Sequence, residues 1–266
     1  MAVLIVVPAR FASARYPGKP LVGLRGADGA VKPLIERSWR AAKAISGVDR
    51  VVVATDDTRI QAAAHGFGAE VVMTPATAAN GTERCAAALA ALGDGYEIVV
   101  NLQGDAPLTP PWFVEDLIAD LRADPEAGIA TPVLRCDGAA LTALRNDRRA
   151  GRVGGTTAVF GAGGRALYFS KEVVPFTGAD FADDQPTPVF HHVGVYAFRA
   201  DALRAYPGWP TGPLERLEGL EQLRFLEQGR RVLCVEVAAR GRQFWEVNNP
   251  EDVPRLEAMM AAMGIE

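Results

Sequence analysis

The sequence is short of cysteine, of cationic excess and of long apolar runs, and each shortage excludes something. Its three cysteines, Cys85, Cys136 and Cys234, form no C-x-x-C pair and have no histidine nearby. That argues against a zinc set or a disulfide framework and leaves three buried free thiols as the expectation. Lys and Arg number 28 against 32 Asp and Glu, a net charge of −4. A nonspecific nucleic-acid binder or an anionic-membrane binder needs a cationic surface, so neither is expected. The apolar run Ala2 to Val7 is stopped by Pro8 and followed by Arg10. It is too short for a secretory signal or a membrane span, and the expected location is the cytoplasm. Asn80-Gly81-Thr82 matches the glycosylation sequon, but without a secretory route it is read for chemistry instead. No G-x-S-x-G, G-x-x-x-x-G-K-[ST], H-E-x-x-H or strand-following G-x-G-x-x-G occurs. Hydrolase, P-loop and dehydrogenase readings lose their weight with those motifs.

What is present is an ordinary globular composition, 49% apolar and 23% charged over 266 residues. That is enough chain to bury a core of its own, as one domain over residues 1–266 with a sizeable inserted region. Short β-rich runs at Ala2–Val7, Arg50–Ala54, Glu70–Met73 and Glu97–Leu102 alternate with helical patterns at Pro33–Ile45, Thr58–Gly66, Thr82–Leu92 and Pro111–Arg122. Continuous apolar strands without polar alternation suit a parallel sheet covered on both faces, so the fold class is α/β with a Rossmann-like, mostly parallel central sheet. From about residue 127 the strands become shorter (Ile129–Leu134, Thr156–Phe160, Ala166–Phe169, Val193–Phe198), which predicts a partly antiparallel insertion over residues 127–212. A helix at Pro213–Gln228, a strand at Val232–Val237 and a last helix at Pro250–Met263 return the chain to the sheet. Ligands of open α/β sheets bind outside the carboxyl ends of the strands. The loops after Val7, Ala54 and Leu102 are therefore the places to look.

Residues 1–27 carry Arg10, Arg15, Lys19 and Arg25 and no acid. Small residues in the loop Pro8–Leu21 let backbone N–H groups approach phosphates, and three of its cations can offset a triphosphate. A solvated basic loop is the plain alternative. Asp105, at the end of a strand, suits either a helix cap or a hard metal ion held by carboxylate, phosphate and water oxygens. Asp56 and Asp57 read as caps of the helix after Thr55. Glu221 and Gln222 fall in an amphipathic helix, where a solvated face is the bland account, and His192 and Tyr196 are placed on one face of a strand.

The string Arg10-x-x-x-x-Arg15-x-x-Gly18-Lys19-Pro20-Leu21 resembles the nucleotide loop of sugar nucleotidyltransferases, and Asn101-x-Gln103-Gly104-Asp105-x-Pro107 resembles their metal-binding strand end. Gly81-Thr82-Glu83-Arg84, Ala166-Leu167-Tyr168-Phe169-Ser170, His192-x-Gly194-x-Tyr196-x-x-Arg199 and Leu220-Glu221-Gln222-Leu223-Arg224 extend the likeness to the cytidylyltransferases for 3-deoxy-manno-octulosonate (Kdo). The match runs through nearly the whole chain in the family's order. It departs at Ala106, Lys171 and Asn80. It also departs at Asn248, where the family places the Asp that is its second metal ligand, and in the segment Arg145–Gly155.

The resemblance implies transfer of CMP from CTP to the anomeric hydroxyl of Kdo or a close analogue, with release of pyrophosphate, for lipopolysaccharide or capsule synthesis. It implies that Lys19, Arg10 and Asp105 are catalytic and that Ala9, Arg10, Arg15, Lys19, Gly81, Thr82 and Gln103 hold the nucleotide. Arg84, Lys171, His192, Tyr196, Glu221 and Gln222 would face the sugar, Asp105 and Asn248 would hold Mg²⁺, and the insertion would form a homodimer. Two alternatives stand beside it: a cytidylyltransferase for another acid sugar, such as sialic acid, and a noncatalytic nucleotide-binding protein.

Overall fold

A computed structural model describes residues 2–12, 15–153, 155–242 and 245–266. Ser13 and Ala14 of the basic loop and Gly154 of the glycine-rich stretch lie outside the described residues. The first half of the chain lays down β1 (Ala2–Ala9), the hairpin β2 (Gly23–Arg25) and β3 (Val31–Pro33), and then α1 (Leu34–Lys43). Next come β4 (Arg50–Thr55), α2 (Thr58–Gly66), β5 (Glu70–Met73), α3 (Gly81–Leu92), β6 (Tyr96–Leu102) and α4 (Pro111–Ala123). The second half supplies β7 (Ala127–Asp137), α5 (Gly138–Arg149), β8 (Thr156–Phe160), β9 (Ala166–Ser170), β10 (Pro186–His192), β11 (Val195–Arg199) and α6 (Ala200–Ala205). It ends with α7 (Pro213–Glu218), α8 (Leu223–Glu227), β12 (Arg231–Glu236) and α9 (Asp252–Met263).

Ten strands form one sheet in the order β5-β4-β1-β6-β11-β7-β10-β8-β9, with β12 added to β7. The β5-β4-β1-β6 half and the β7-β12 pair are parallel. β11 joins β6 and β7 in antiparallel register, and β10, β8 and β9 continue antiparallel. The inserted strands thus extend the same sheet.

The alternation of β1 explains why a continuous apolar run serves here. Val3, Ile5, Val7 and Ala9 pack into a core with Ile35, Ile60, Phe113 and Leu117, while Leu4 and Val6 pack on the other face with Cys85, Ala86 and Leu89. Both faces of the strand are covered by helices, so neither can carry polar residues. All three cysteines are free and buried. Among the described residues no helix is long and apolar enough to cross a membrane.

Four sequence expectations change. The helix expected over Pro213–Gln228 is broken, because Gly219 ends α7 in the left-handed conformation (φ 62°) and only from Leu223 does the chain turn helical again. Glu221 and Gln222 therefore lie in the link between two short helices. The strand expected at Val193–Phe198 is two strands, so His192 ends β10 and Tyr196 belongs to β11. The last helix starts at Asp252, two residues after Pro250, because the Asp252 carboxylate accepts the N–H groups of both Asn248 and Asn249. Asp57 caps α2 through Arg59 N–H as expected, whereas Asp56 pairs with Arg84 at 3.4 Å.

Candidate functional site

The carboxyl ends of β1 and β6, the start of α3, the link 219–222 and the segment 245–248 surround one open cavity of about 410 Å³. β1 delivers Ala9 and Arg10 to its wall and β6 delivers Gln103, Gly104 and Asp105. Gly104 is required there by contact, since an added Cβ would stand 2.6 Å from the carbonyl oxygen of Pro8. The Ser38 hydroxyl donates to the Gly104 carbonyl at 2.9 Å and fixes that strand end from α1. The basic loop closes back on itself through Gly18 N–H to the Phe11 carbonyl, with the Arg59 guanidinium stacked 3.3 Å over the Phe11 ring.

Arg10, Arg15 and Lys19 all line the cavity. Lys19 Nζ donates to Asp105 Oδ2 at 2.5 Å, and Arg15 Nη2 donates to Asn248 Oδ1 at 2.8 Å. Arg10 is exposed and carries no contact to another described side chain. Glu246, half-buried beside these groups, hydrogen-bonds Asn248. Burial, and then the negative charge of Asp105, push its carboxyl up to about 7, while Lys19 and Arg15 draw it back.

The α3 side of the cavity begins at Asn80, whose side chain caps the helix by accepting Glu83 N–H at 2.8 Å, while Glu83 reaches back to Ala79 N–H at 2.8 Å. Gly81 lies against the amides of Asn101 and Gln103, each 3.0 Å from where its Cβ would be. Asn101 is fully buried, and neither amide atom has a partner. Buried polar atoms are almost always bonded, so this amide is held in reserve for something that enters the cavity.

On the opposite wall Tyr196 donates its hydroxyl to Gln222 Oε1 at 3.1 Å, and Gln222 Nε2 is buried without a partner. Glu221 accepts the Thr82 N–H at 2.9 Å, and burial raises its carboxyl above the ordinary range. Burial likewise raises the Tyr196 phenol well above its usual value.

The predicted residues thus converge with some exceptions. Ala9, Arg10, Arg15, Lys19, Gly81, Gln103, Arg84, Asp105, Tyr196, Glu221, Gln222 and Asn248 share the cavity wall. Thr82 is buried behind it and contributes through its bond to Glu221. His192 does not reach the cavity. Its Nε2 bonds the Thr131 hydroxyl at 2.9 Å, its ring packs against Phe169 and Tyr196, and burial pushes its imidazole down to about 3. It supports Tyr196 from behind. Lys171 stands behind the rim, its ammonium 3.0 Å from where a Cβ on Gly219 would be. Arg84 is already bonded to Thr74 Oγ1 at 2.6 Å besides its pairing with Asp56, so it presents a guanidinium fixed from behind. Glu246 was missed, and so was the unbonded state of Asn101. Glu246 lies in a short irregular segment with no periodic pattern, and only its place two residues before Asn248 could have drawn attention to it.

Comparison with known proteins places this architecture. The family model described as cytidylyltransferase matches residues 4–232. A 3-deoxy-manno-octulosonate cytidylyltransferase from Maricaulis maris is 44% identical over 99% of both chains. An 8-amino-3,8-dideoxy-manno-octulosonate cytidylyltransferase from Shewanella baltica is 38% identical over 98% of this chain and 99% of its own. A solved structure of CMP:2-keto-3-deoxy-manno-octonic acid synthetase complexed with CTP superposes with a TM-score of 0.83 at 32% identity, over 99% of this chain and all of the other. The chain belongs to the cytidylyltransferase family.

Proposed function

We propose that this cytidylyltransferase transfers CMP from CTP to the anomeric 2-hydroxyl of Kdo or its 8-amino analogue. The oxygen of that hydroxyl attacks the α-phosphorus, the bond from the α-phosphorus to the bridging oxygen breaks, and pyrophosphate leaves. The observation that carries this reading is the meeting of Arg10, Arg15 and Lys19 with Asp105 at the carboxyl ends of β1 and β6, facing Tyr196, Glu221 and Gln222 across one cavity. Transfer of this kind asks a protein chiefly for positioning and charge neutralisation.

Arg10, Arg15 and Lys19 bind the triphosphate, and the Lys19 ammonium offsets charge that grows on the departing pyrophosphate. Asn101, Gln103 and the N-terminal residues of α3 offer amides to the nucleotide. Tyr196 and Gln222 form a hydrogen-bonded pair on the acceptor side. The guanidinium of Arg84 suits either the sugar carboxylate or a phosphate.

The donor set fits Mg²⁺. Asp105 already holds a cation, the Lys19 ammonium, and the amide oxygen of Asn248 is a second hard donor beside it. Asp105 and Asn248 would hold the ion, which when bound supplies further charge neutralisation to the phosphates. We place the enzyme in the cytoplasm, in lipopolysaccharide or capsule synthesis, as a homodimer formed through residues 127–212.

The acceptor is put as Kdo or its 8-amino analogue because relatives named for each stand at comparable identity. The experiment is pyrophosphate release with a panel of nucleotides and ulosonic acids. Release only with CTP, Mg²⁺ and one of these two octulosonates is expected. Turnover of sialic acid alone, or CTP binding without any turnover, would overturn the reading.

A further inference from the structure

Glu246 is a carboxylate in this site for which the reaction as set out has no use. Its position is fixed by its neighbours. Val247 N–H donates to the Asp105 carbonyl at 3.0 Å, and the Val247 side chain is fully buried with Leu24, Leu34 and Leu256. Glu246 and Asn248, on either side, hydrogen-bond each other and so share the face turned away from that core. That face is the one with Asp105, Lys19 and Arg15, and Glu246 feels the charge of all three. One of its carboxylate oxygens lies 3.4 Å from where a Cβ on Gly194 would stand, just before β11 and Tyr196.

The charges do not balance as they stand. Lys19 is bonded to Asp105 and Arg15 is bonded to Asn248, so each reaches Glu246 only through space. Two carboxylates in one half-buried site repel each other, and both would repel a triphosphate. A further cation between the carboxylates and the phosphates removes both conflicts. Asn248 cannot supply the missing negative charge. Its Oδ1 accepts from Arg15, which leaves its Nδ2 as the donor to Glu246, so both ends of the amide are engaged. The polar atoms of Asn101, fully buried and unbonded in the same cavity, are independent evidence that the site is built around a polar ligand.

We propose that Glu246 is the second carboxylate facing the divalent cation of this site, opposite Asp105, and that Asn248 is a positioning residue that ties Glu246 to Arg15. This rests on the metal-dependent cytidylyltransferase reading above. A hard divalent ion takes one or two protein carboxylates together with phosphate oxygens, and Asp105 and Glu246 make that pair.

The test uses the full chain with CTP and no acceptor, so nothing turns over, and Mn²⁺ as the probe. The quantity measured is the factor by which saturating Mn²⁺ tightens CTP binding, from titration calorimetry with and without the metal. Glu246→Gln should cut that factor about tenfold or more, the scale of effect seen when the groups around a bound metal are altered. CTP alone should bind the variant at least as tightly as the wild type, because a repelling charge has gone. The double variant Glu246→Gln with Asn248→Asp moves the carboxylate two residues along the same face and should restore most of the factor, which a merely structural role for Glu246 would not. If Asp105→Asn lowers the factor and Glu246→Gln does not, the metal site stands and this inference falls. If Mn²⁺ does not tighten CTP binding to the wild type at all, the metal reading of the site falls, and the role of Glu246 falls with it.

Discussion

Lys19 Nζ lies 2.5 Å from Asp105 Oδ2, joining the basic loop after β1 to the carboxyl end of β6. In the absence of phosphates the ammonium rests on the carboxylate, and a triphosphate would offer it a stronger anion. Lys19→Ala is therefore expected to lower kcat by roughly 100-fold or more, the usual scale for loss of one group that meets developing charge. The pair lies at the edge of an open cavity and its worth to the fold is small, so the melting temperature should hardly move. Pyrophosphate release together with a thermal melt checks both halves. Unchanged turnover would remove the loop from the mechanism.

The metal requirement separates Asp105 from Asn248. Asp105→Asn should abolish turnover, since it removes the carboxylate that already holds a cation in the site. Asn248→Asp adds a negative charge at a position that now brings only an amide, so it should keep turnover and lower the Mg²⁺ concentration giving half-maximal rate. A Mg²⁺ titration of the three proteins decides this. Full activity in Asp105→Asn, or an unmoved Mg²⁺ dependence in Asn248→Asp, would place the ion elsewhere.

Much of this site could be read from the sequence because strand ends are punctuated. Pro8 and the basic loop follow an apolar run, and Gln103-Gly104-Asp105 follows another, so both walls of the cavity were placed before any coordinates. The parallel half of the sheet was legible for the same reason, since β1, β4, β5 and β6 are buried on both faces and show unbroken apolar runs. The later strands were less clear. His192 and Tyr196 stand four residues apart, as on one strand, yet the chain leaves β10 at His192 and enters β11 at Val195, and only Tyr196 reaches the cavity. α5 was not foreseen, because the Arg-rich segment 145–152 reads as solvated chain. Its start is fixed by Asp137, which accepts Ala140 N–H at 2.7 Å, and its apolar face by Leu141 and Leu144 packing on Val189. Glu246 could not be assigned from its spacing, since its environment comes from residues far off in the chain.

Arg224 holds together the wall that carries Glu221 and Gln222. Its guanidinium donates to both oxygens of Glu215 at 2.7 Å and to Glu83 Oε1 at 3.0 Å, and it stacks 4.1 Å over the Tyr206 ring. Arg224 and Glu215 are both buried, so Arg224→Leu leaves an uncompensated carboxylate in the interior. A cost of about 3–5 kcal/mol is expected. Changing Glu215 to Leu as well should recover a large part of it, because an apolar pair needs no partner charge. Guanidinium unfolding of the single and double variants measures this, and equal stability of wild type and Arg224→Leu would contradict it.

His192 makes the fold sensitive to acid. Burial pushes its imidazole down to about 3, against an ordinary value of 6.5. Between those two values the unfolded chain binds a proton that the native chain does not, so stability rises with pH across this window and is lost as pH falls through it. From pH 7.5 to pH 5.0 the loss from His192 alone is roughly 2 kcal/mol, being about 1.5 pH units below the unfolded pKa. His192→Gln keeps a polar partner for the Thr131 hydroxyl and removes the titration. Some intrinsic stability should be lost at pH 7.5, where the imidazole is neutral and packs against Phe169 and Tyr196. The further drop at pH 5.0 should be smaller than in the wild type. It should not vanish, because burial also lowers His191, to about 4. Denaturant midpoints for the two proteins at the two pH values give the comparison, and an identical acid-induced drop in both would show that His192 does not set the acid limit.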